Sequence, residues 1–307
     1  MNEHNAAINR NDEKPKKKKS QWLESWRRFR KNPVGMIGLF IVFLLVFSAA
    51  FADVIAPAIN DPILGRVPAY EFQDLNNRNQ FPSREHPFGT DNFGRDIFFR
   101  VVHGSRISLL VAFIVVGISM SIGVALGTIA GYYGKYIDAT IMRIMDIVLA
   151  IPFILMAISI AAALGAGLVN AMIAIGITSI PFFARQVRSS VLSVREQEFI
   201  ESAKSIGCSD LRIMLSHVLP NCMAPIIIRA TMGLASAILS AAALSFIGLG
   251  VQPPTPEWGS MLSEGQRFIR DYWHMTFFPG LAIALVVFGL NMLGDGLRDV
   301  LDPRLKQ

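Results

Sequence analysis

Residues 201–220 read ESAKSIGCSDLRIMLSHVLP. This polar stretch interrupts a chain that is otherwise strongly apolar, and it contains two short amphipathic patterns around one glycine. Phe199, Ile200, Ala203 and Ile206 recur at near-helical spacing, which predicts a first helix. Gly207 supplies the positive φ that ends it, and Ser209 or Asp210 caps a second. Leu211, Met214, Leu215 and Val218 form an i, i+3, i+4, i+7 face, and Pro220 stops that helix before the next apolar run near Pro225. The expected product is a helix–turn–helix with one face packed on its own protein and the other open to a partner. Small residues at Ser202 and Ala203 admit that partner closely.

The flanking sequence places the stretch at a membrane. The chain has 307 residues, 52% of them apolar, with a mean hydropathy of +0.43. These values suit a multispanning membrane protein better than a soluble enzyme. Six apolar segments approach the roughly 20 residues needed to cross a bilayer: 34–56, 107–129, 139–164, 169–183, 225–248 and 277–294. Asn32 and Pro33 are a plausible N-cap and first helical residue for the first of them. Pro181 falls near the end of the fourth. The first run is too long for a signal-peptide core and lacks a clear cleavage site.

Lys and Arg set the orientation. The tail up to Lys31 is rich in both, including the run Lys16–Lys19, and six spans then put both termini in the cytoplasm with the 201–220 stretch. The long 57–106 segment falls outside despite its arginines, because long loops translocate largely regardless of charge. The net charge of +6 is divided between the tail and the span ends, so membrane lipid, rather than nucleic acid, is the expected charged partner. Residues 1–20 have the composition of a disordered tail, and Trp22, Trp26 and Phe29 predict an interfacial helix. Cys208 and Cys222 are the only cysteines and are expected as free thiols in a reducing compartment.

The expected organisation is a cytoplasmic N-terminal tail with interfacial helix over 1–33, a first transmembrane helix over 34–56 and an extracytoplasmic lead-in over 57–106. A core of five transmembrane helices follows over 107–297, containing the cytoplasmic loop 185–222, and a tail occupies 298–307. Arg143 and Asp146 lie three residues apart in the third span, as a structural ion pair with each other or across to another helix, or as groups on a solute pathway. Arg229 reads as a snorkelling side chain. No His, Cys and carboxylate spacing suggests a metal site. The nearest approach to a phosphate loop, Gly134-Lys135, is followed by Tyr136 and lacks the glycine five positions earlier. The chain has no nucleotide site or catalytic constellation of its own, and no enzymatic activity is expected.

The polar stretch resembles the cytoplasmic loop of inner-membrane permease subunits of ATP-binding cassette importers. That loop has the form E-A-A, three residues, G, nine residues, I, one residue, L-P. Here the matching positions are Glu201, Ser202, Ala203, Gly207, His217, Leu219 and Pro220, with Ser202 for the central Ala and His217 for the usual Ile. Five further strings carry the resemblance through the chain: HPFGTD at 86–91, FGRDI at 93–97, GSRIS at 104–108, GLGVQPPTPEWG at 248–259 and NMLGDGLRDVLDP at 291–303. Together they are similar to the C-type permeases of dipeptide, oligopeptide and glutathione importers.

The resemblance implies an all-α polytopic fold of the type I importer permease, MetI-like kind. It implies a homologous second permease, two cytoplasmic ATP-binding subunits carrying ATP and Mg, and an extracytoplasmic peptide-binding protein. Glu198, Glu201, Ser202, Ala203, Gly207, Leu211, His217, Leu219 and Pro220 are then the ATPase-coupling residues. The glycines and alanines of 117–131 and 161–176 would let helices approach and slide during alternating access. A relative moving nickel chelates, opines or another small solute is the alternative on this scaffold. A channel would need a filter loop or charged ring, and a simple anchor would need neither six spans nor a spaced loop.

Overall fold

The computed structural model describes residues 26–61 and 65–301. The expectations for the 1–20 tail, Trp22 and the last residues, including Arg304 and Lys306, lie outside the described residues. Helix α1 (Pro33–Ala50) begins as its sequence predicts: Pro33 opens the helix and the Asn32 side chain accepts from the Gly35 amide at 3.0 Å. It ends at Ala50, short of the expected boundary, and a single turn α2 (Ala52–Ile55) follows. A small antiparallel hairpin, β1 (Ile59–Asp61) with β2 (Gly65–Val67), pairs Ile59 with Val67.

Helix α3 (Ile97–Tyr133) starts ten residues before the apolar run. Asp96 accounts for the early start, accepting from the Phe98 and Phe99 amides and capping orphan donors of the first turn. At about 1.5 Å per residue, 37 residues span about 55 Å, well beyond a hydrocarbon core of about 30 Å.

The expected third span, 139–164, is broken. It forms α4 (Lys135–Ala150) and α5 (Phe153–Leu164), bent by 87° at the break. Pro152 pushes the preceding residue out of helical space, and Ile151 is extended at φ −90°, ψ 130°. The described chain thus has five helices long and apolar enough to cross a membrane, or six with the bent pair as one.

Helix α6 (Leu168–Arg195) runs well past the expected end at 183, with Pro181 buried inside it. Neighbouring helices can absorb the backbone group that an interior proline frees. After α7 (Glu198–Ser205) and a turn, α8 (Asp210–Ile213) passes through a π-helical turn, Met214–Val218, into α9 (Leu219–Phe246). Pro220 therefore does not stop a helix, contrary to the sequence expectation. It lies inside a continuous helix, directly after the wider π turn Met214–Val218, the kind of local widening at which a helix accommodates a break in its hydrogen-bond ladder. Helix α10 (Trp258–Gln266) and the last helix, α11 (His274–Leu301), complete the bundle.

Packing follows small residues. Gly123, Gly127 and Gly131 of α3 meet α6 so closely that an added Cβ would lie 2.5 Å from the Phe183 Cβ, 2.4 Å from the Ala184 carbonyl oxygen and 2.8 Å from the Val191 Cβ. Helix α1 lies on α11 in the same way: a Cβ on Gly38 would fall 2.4 Å from the Leu293 nitrogen. The main core gathers Val111, Val115, Ile175, Ile238, Leu244 and Trp258 between α3, α6, α9 and α10. A second core lies beneath the polar stretch.

Candidate functional site: the polar loop and its seat

Helix α7 carries Glu198 and Glu201 in its first turn and Lys204 in its last, charges that complement the helix dipole. Its end is a Schellman motif. The Gly207 amide donates to the Lys204 carbonyl at 3.0 Å, and the Cys208 amide to the Ala203 carbonyl at 3.1 Å. Gly207 sits at φ +82° with open space around its Cα. The glycine is required by backbone conformation and not by crowding. Ser209 occupies the N-cap position of α8 without a side-chain cap bond.

The two faces differ from those read in the sequence. Ile200, Ala203, Ile213, Met214, Val218 and Cys222 are buried against Val187, Val191 and Val194 of α6. Phe199, Ile206, Leu211 and Leu215, expected partly on the packing side, are exposed at 39%, 81%, 63% and 56%. The helical spacing was right but the phase was not: packing against α6 buries Ile200 and Ala203 of the first helix and Ile213, Met214 and Val218 of the second. Ala203 is consequently small for its own core, while Ser202 is exposed and donates to the Glu198 carbonyl at 3.0 Å. His217 and Leu219 are half-buried and Pro220 is exposed.

Tyr132, at the end of α3, holds both halves of the loop. Its hydroxyl donates to Asp210 at 2.7 Å, and the Lys204 ammonium lies 5.4 Å from its ring centroid. Arg195 caps α3 by donating to the Gly131 carbonyl at 2.8 Å, and Arg188 makes a two-pronged ion pair with Asp138 of α4. The sequence reading missed these residues. Their partners are remote in the chain, and only the small residues of 117–131 were singled out beforehand.

Arg143 and Asp146 are not paired with each other. Asp146 takes Arg185 of α6 instead, and both members of that pair are about half exposed. The three-residue spacing along α4 was compatible with a local pair, but the fork of Arg185 reaches the carboxylate from the facing helix. Arg143 is exposed.

The opposite end of the bundle is locked by the strings singled out at 86–91, 93–97 and 248–259. Glu264 of α10 accepts from Arg95 at 2.7 Å and Arg100 at 3.1 Å, and Asp91 accepts from Arg95 at 2.6 Å. Trp258 is buried and donates to the Val101 carbonyl at 3.0 Å, and the nearby Gly104 leaves room for its ring. Glu257 caps α10 through the Gly259 and Ser260 amides, both at 2.9 Å, while burial pushes its carboxyl above the usual range. Both thiols are free.

Comparisons with known proteins agree with this architecture. Residues 123–307 match the model of the binding-protein-dependent transport system inner membrane component, and 20–82 match the N-terminal TM domain of oligopeptide transport permease C. The dipeptide transport system permease protein DppC of Alkalihalophilus pseudofirmus is 50% identical over 94% of this chain and 91% of its own. The glutathione transport system permease protein GsiD of Escherichia coli is 47% identical over 95% and 94%. In fold, the chain is similar to an inward-facing structure of the MetNI methionine ABC transporter, with a TM-score of 0.55 and 20% identity over 66% of this chain and 97% of that one. With its closely spaced helices, seated polar loop and matches along nearly its whole length, the chain belongs to the family of binding-protein-dependent transport system inner membrane components.

Proposed function

We propose that this chain is one of two permease subunits of an ATP-driven importer of di- and oligopeptides, glutathione included, in a bacterial cytoplasmic membrane. Both termini and the polar loop lie on the cytoplasmic side, in keeping with the distribution of Lys and Arg. A homologous permease completes the pathway, two cytoplasmic subunits bind and hydrolyse ATP with Mg, and an extracytoplasmic binding protein delivers the peptide.

The observation that carries this reading is the exposed apolar surface of Phe199, Ile206, Leu211 and Leu215 on a loop fixed from behind. Exposed apolar side chains grouped on a short polar element mark a protein contact. Glu198, Glu201, Ser202, Gly207, Leu211, His217, Leu219 and Pro220 belong to this coupling element, and Ala203 seats it. Nucleotide-driven closure of the ATPases moves the loop, and α6 and α9 carry that motion into the spans as a packed unit. Packed interfaces suit this role because they switch between discrete arrangements.

The test is peptide uptake by the reconstituted complex carrying Ile206→Asp or Leu211→Asp. Neither side chain contributes to the chain's own core, so the subunit should fold normally. ATPase co-purification and uptake should each fall at least tenfold. Unchanged association and uptake in both variants would rule out docking through this surface. Transport of a metal chelate with no transport of any peptide by the wild type would overturn the substrate class.

A further inference from the structure

Two cavities flank α6 and α9, and Arg229 lines both. One, of about 330 Å³, is bordered by Ser119, Ser179, Ser236 and Ser240 together with Phe182 and Phe183. The other, of about 610 Å³, lies toward the polar loop and is bordered by Gln186, Asn221 and Arg298, among others. Hydroxyl and amide side chains of α6 and α9, with Ser119 of α3, thus line a path through an apolar bundle. By contrast, α1 exposes Phe40, Phe43, Leu44, Val46 and Phe47, the character of a lipid-facing helix.

Arg229 stands where the two cavities meet, about 14 Å along α9 from Pro220 at 1.5 Å per residue. Its guanidinium lies 5.2 Å from the Phe182 ring centroid and 5.8 Å from that of Phe183. These rings hold the planar fork. Its Nε is buried and has no hydrogen-bond partner among the described residues. Among the described residues, no acidic side chain lines either cavity. A permanent cation at this depth is costly unless an anion meets it. Snorkelling would move the charge away from this position, yet the aromatic pair keeps it at the junction.

We propose that Arg229 binds the C-terminal carboxylate of the peptide in transit, at the junction of the two cavities. The inference rests on the peptide-importer reading. A guanidinium fork matches a carboxylate through two parallel N–H···O bonds, and the terminal carboxylate is the one anionic group common to linear peptides of any sequence. The surrounding hydroxyls and amides are suited to backbone amides without selecting side chains. Arg298, in the lower cavity, offers a second cation closer to the exit.

The experiment uses the whole complex in detergent, where both sides of the protein are accessible to probe, with a photo-crosslinker in place of the exposed Ser236 and radiolabelled dialanine as probe. Excess unlabelled dialanine should suppress labelling, whereas dialanine amide should not. Equal competition by the amide overturns the proposal without any change at Arg229. Arg229→Met should reduce both labelling and dialanine uptake at least tenfold with subunit assembly and Tm unchanged, and Arg229→Lys should retain uptake within about threefold. Wild-type labelling and uptake in Arg229→Met would overturn it. So would equal loss of uptake in the Lys and Met variants with labelling intact, the signature of a packing role. Failure of the importer reading looks different: the wild-type complex then neither transports nor becomes labelled by dialanine.

Discussion

Gly207 shows how one residue shapes the loop. At φ +82°, with nothing near its Cα, it is the C′ residue of a motif that turns the chain from α7 into α8. An Ala there would meet no atom but would cost about 1–2 kcal/mol in the left-handed region. Uptake by the reconstituted complex should therefore fall in the order Gly, Asn, Ala, Val, since Asn tolerates that region better than most residues. Equal uptake by all four would show that the turn is not needed. The sequence disclosed this glycine by its position between two amphipathic patterns. It did not disclose Tyr132, because a tyrosine ending one helix carries no local sign that it will grip Lys204 and Asp210 from another part of the chain.

At the scale of elements, the tightly packed seam between α3 and α6 is where the proposed motion of the loop would enter the spans. Gly127 would place a Cβ 2.4 Å from the Ala184 carbonyl oxygen, while Gly117 faces open space. Gly127→Ala should push the helices apart and lower stability by about 1–3 kcal/mol, the usual cost of overpacking. Gly117→Ala should leave stability unchanged or slightly raised, since Ala is the better helix former. Thermal melting in detergent, with uptake measured in parallel, separates the two. A Gly127→Ala protein as stable and active as wild type would mean that the seam is not tightly closed. That the small residues of 117–131 admit a close helix contact was legible beforehand. Which helix they would meet was not, since that depends on the rotation of both helices.

The same distinction explains the loop faces. Periodicity located both helices, but it assigned Leu211 and Leu215 to the packing side with Met214 and Val218. Burial selected Ile213, Met214 and Val218 instead. The broken span had a local signal in Pro152, which the sequence reading of 139–164 as one span did not take into account.

Across the whole molecule, the two ends are held by different means. The polar loop rests on a core of aliphatic side chains. The far end is closed by Asp91, Arg95, Arg100 and Glu264, with Arg95 and Arg100 almost wholly buried. Removing the charge of Glu264 leaves two buried cations with Asp91 as their remaining carboxylate, so Glu264→Gln should destabilise this end by about 1–3 kcal/mol. Amide hydrogen exchange should then rise around residues 86–96. Asp53→Asn, which breaks the exposed pair with Arg106, should change stability by less than about 1 kcal/mol. Equal exchange in both variants would refute the view that the buried cluster holds that end together.

By itself, the sequence determined what depends on local order: the apolar spans, the cap at Asn32, the glycine turn at 207 and the spaced residues that mark the family. Those features arise from helix period, backbone sterics and hydropathy, all of which act within a few residues. Tertiary structure decided which face of each helix is buried, that Asp146 takes Arg185, that Glu264 joins two arginines more than 160 positions away, and that Arg229 stands between two cavities. The physical reason is that a helix's rotation is set by the surface it packs against, and a side chain's ionic partner by which groups that packing brings within a few ångströms.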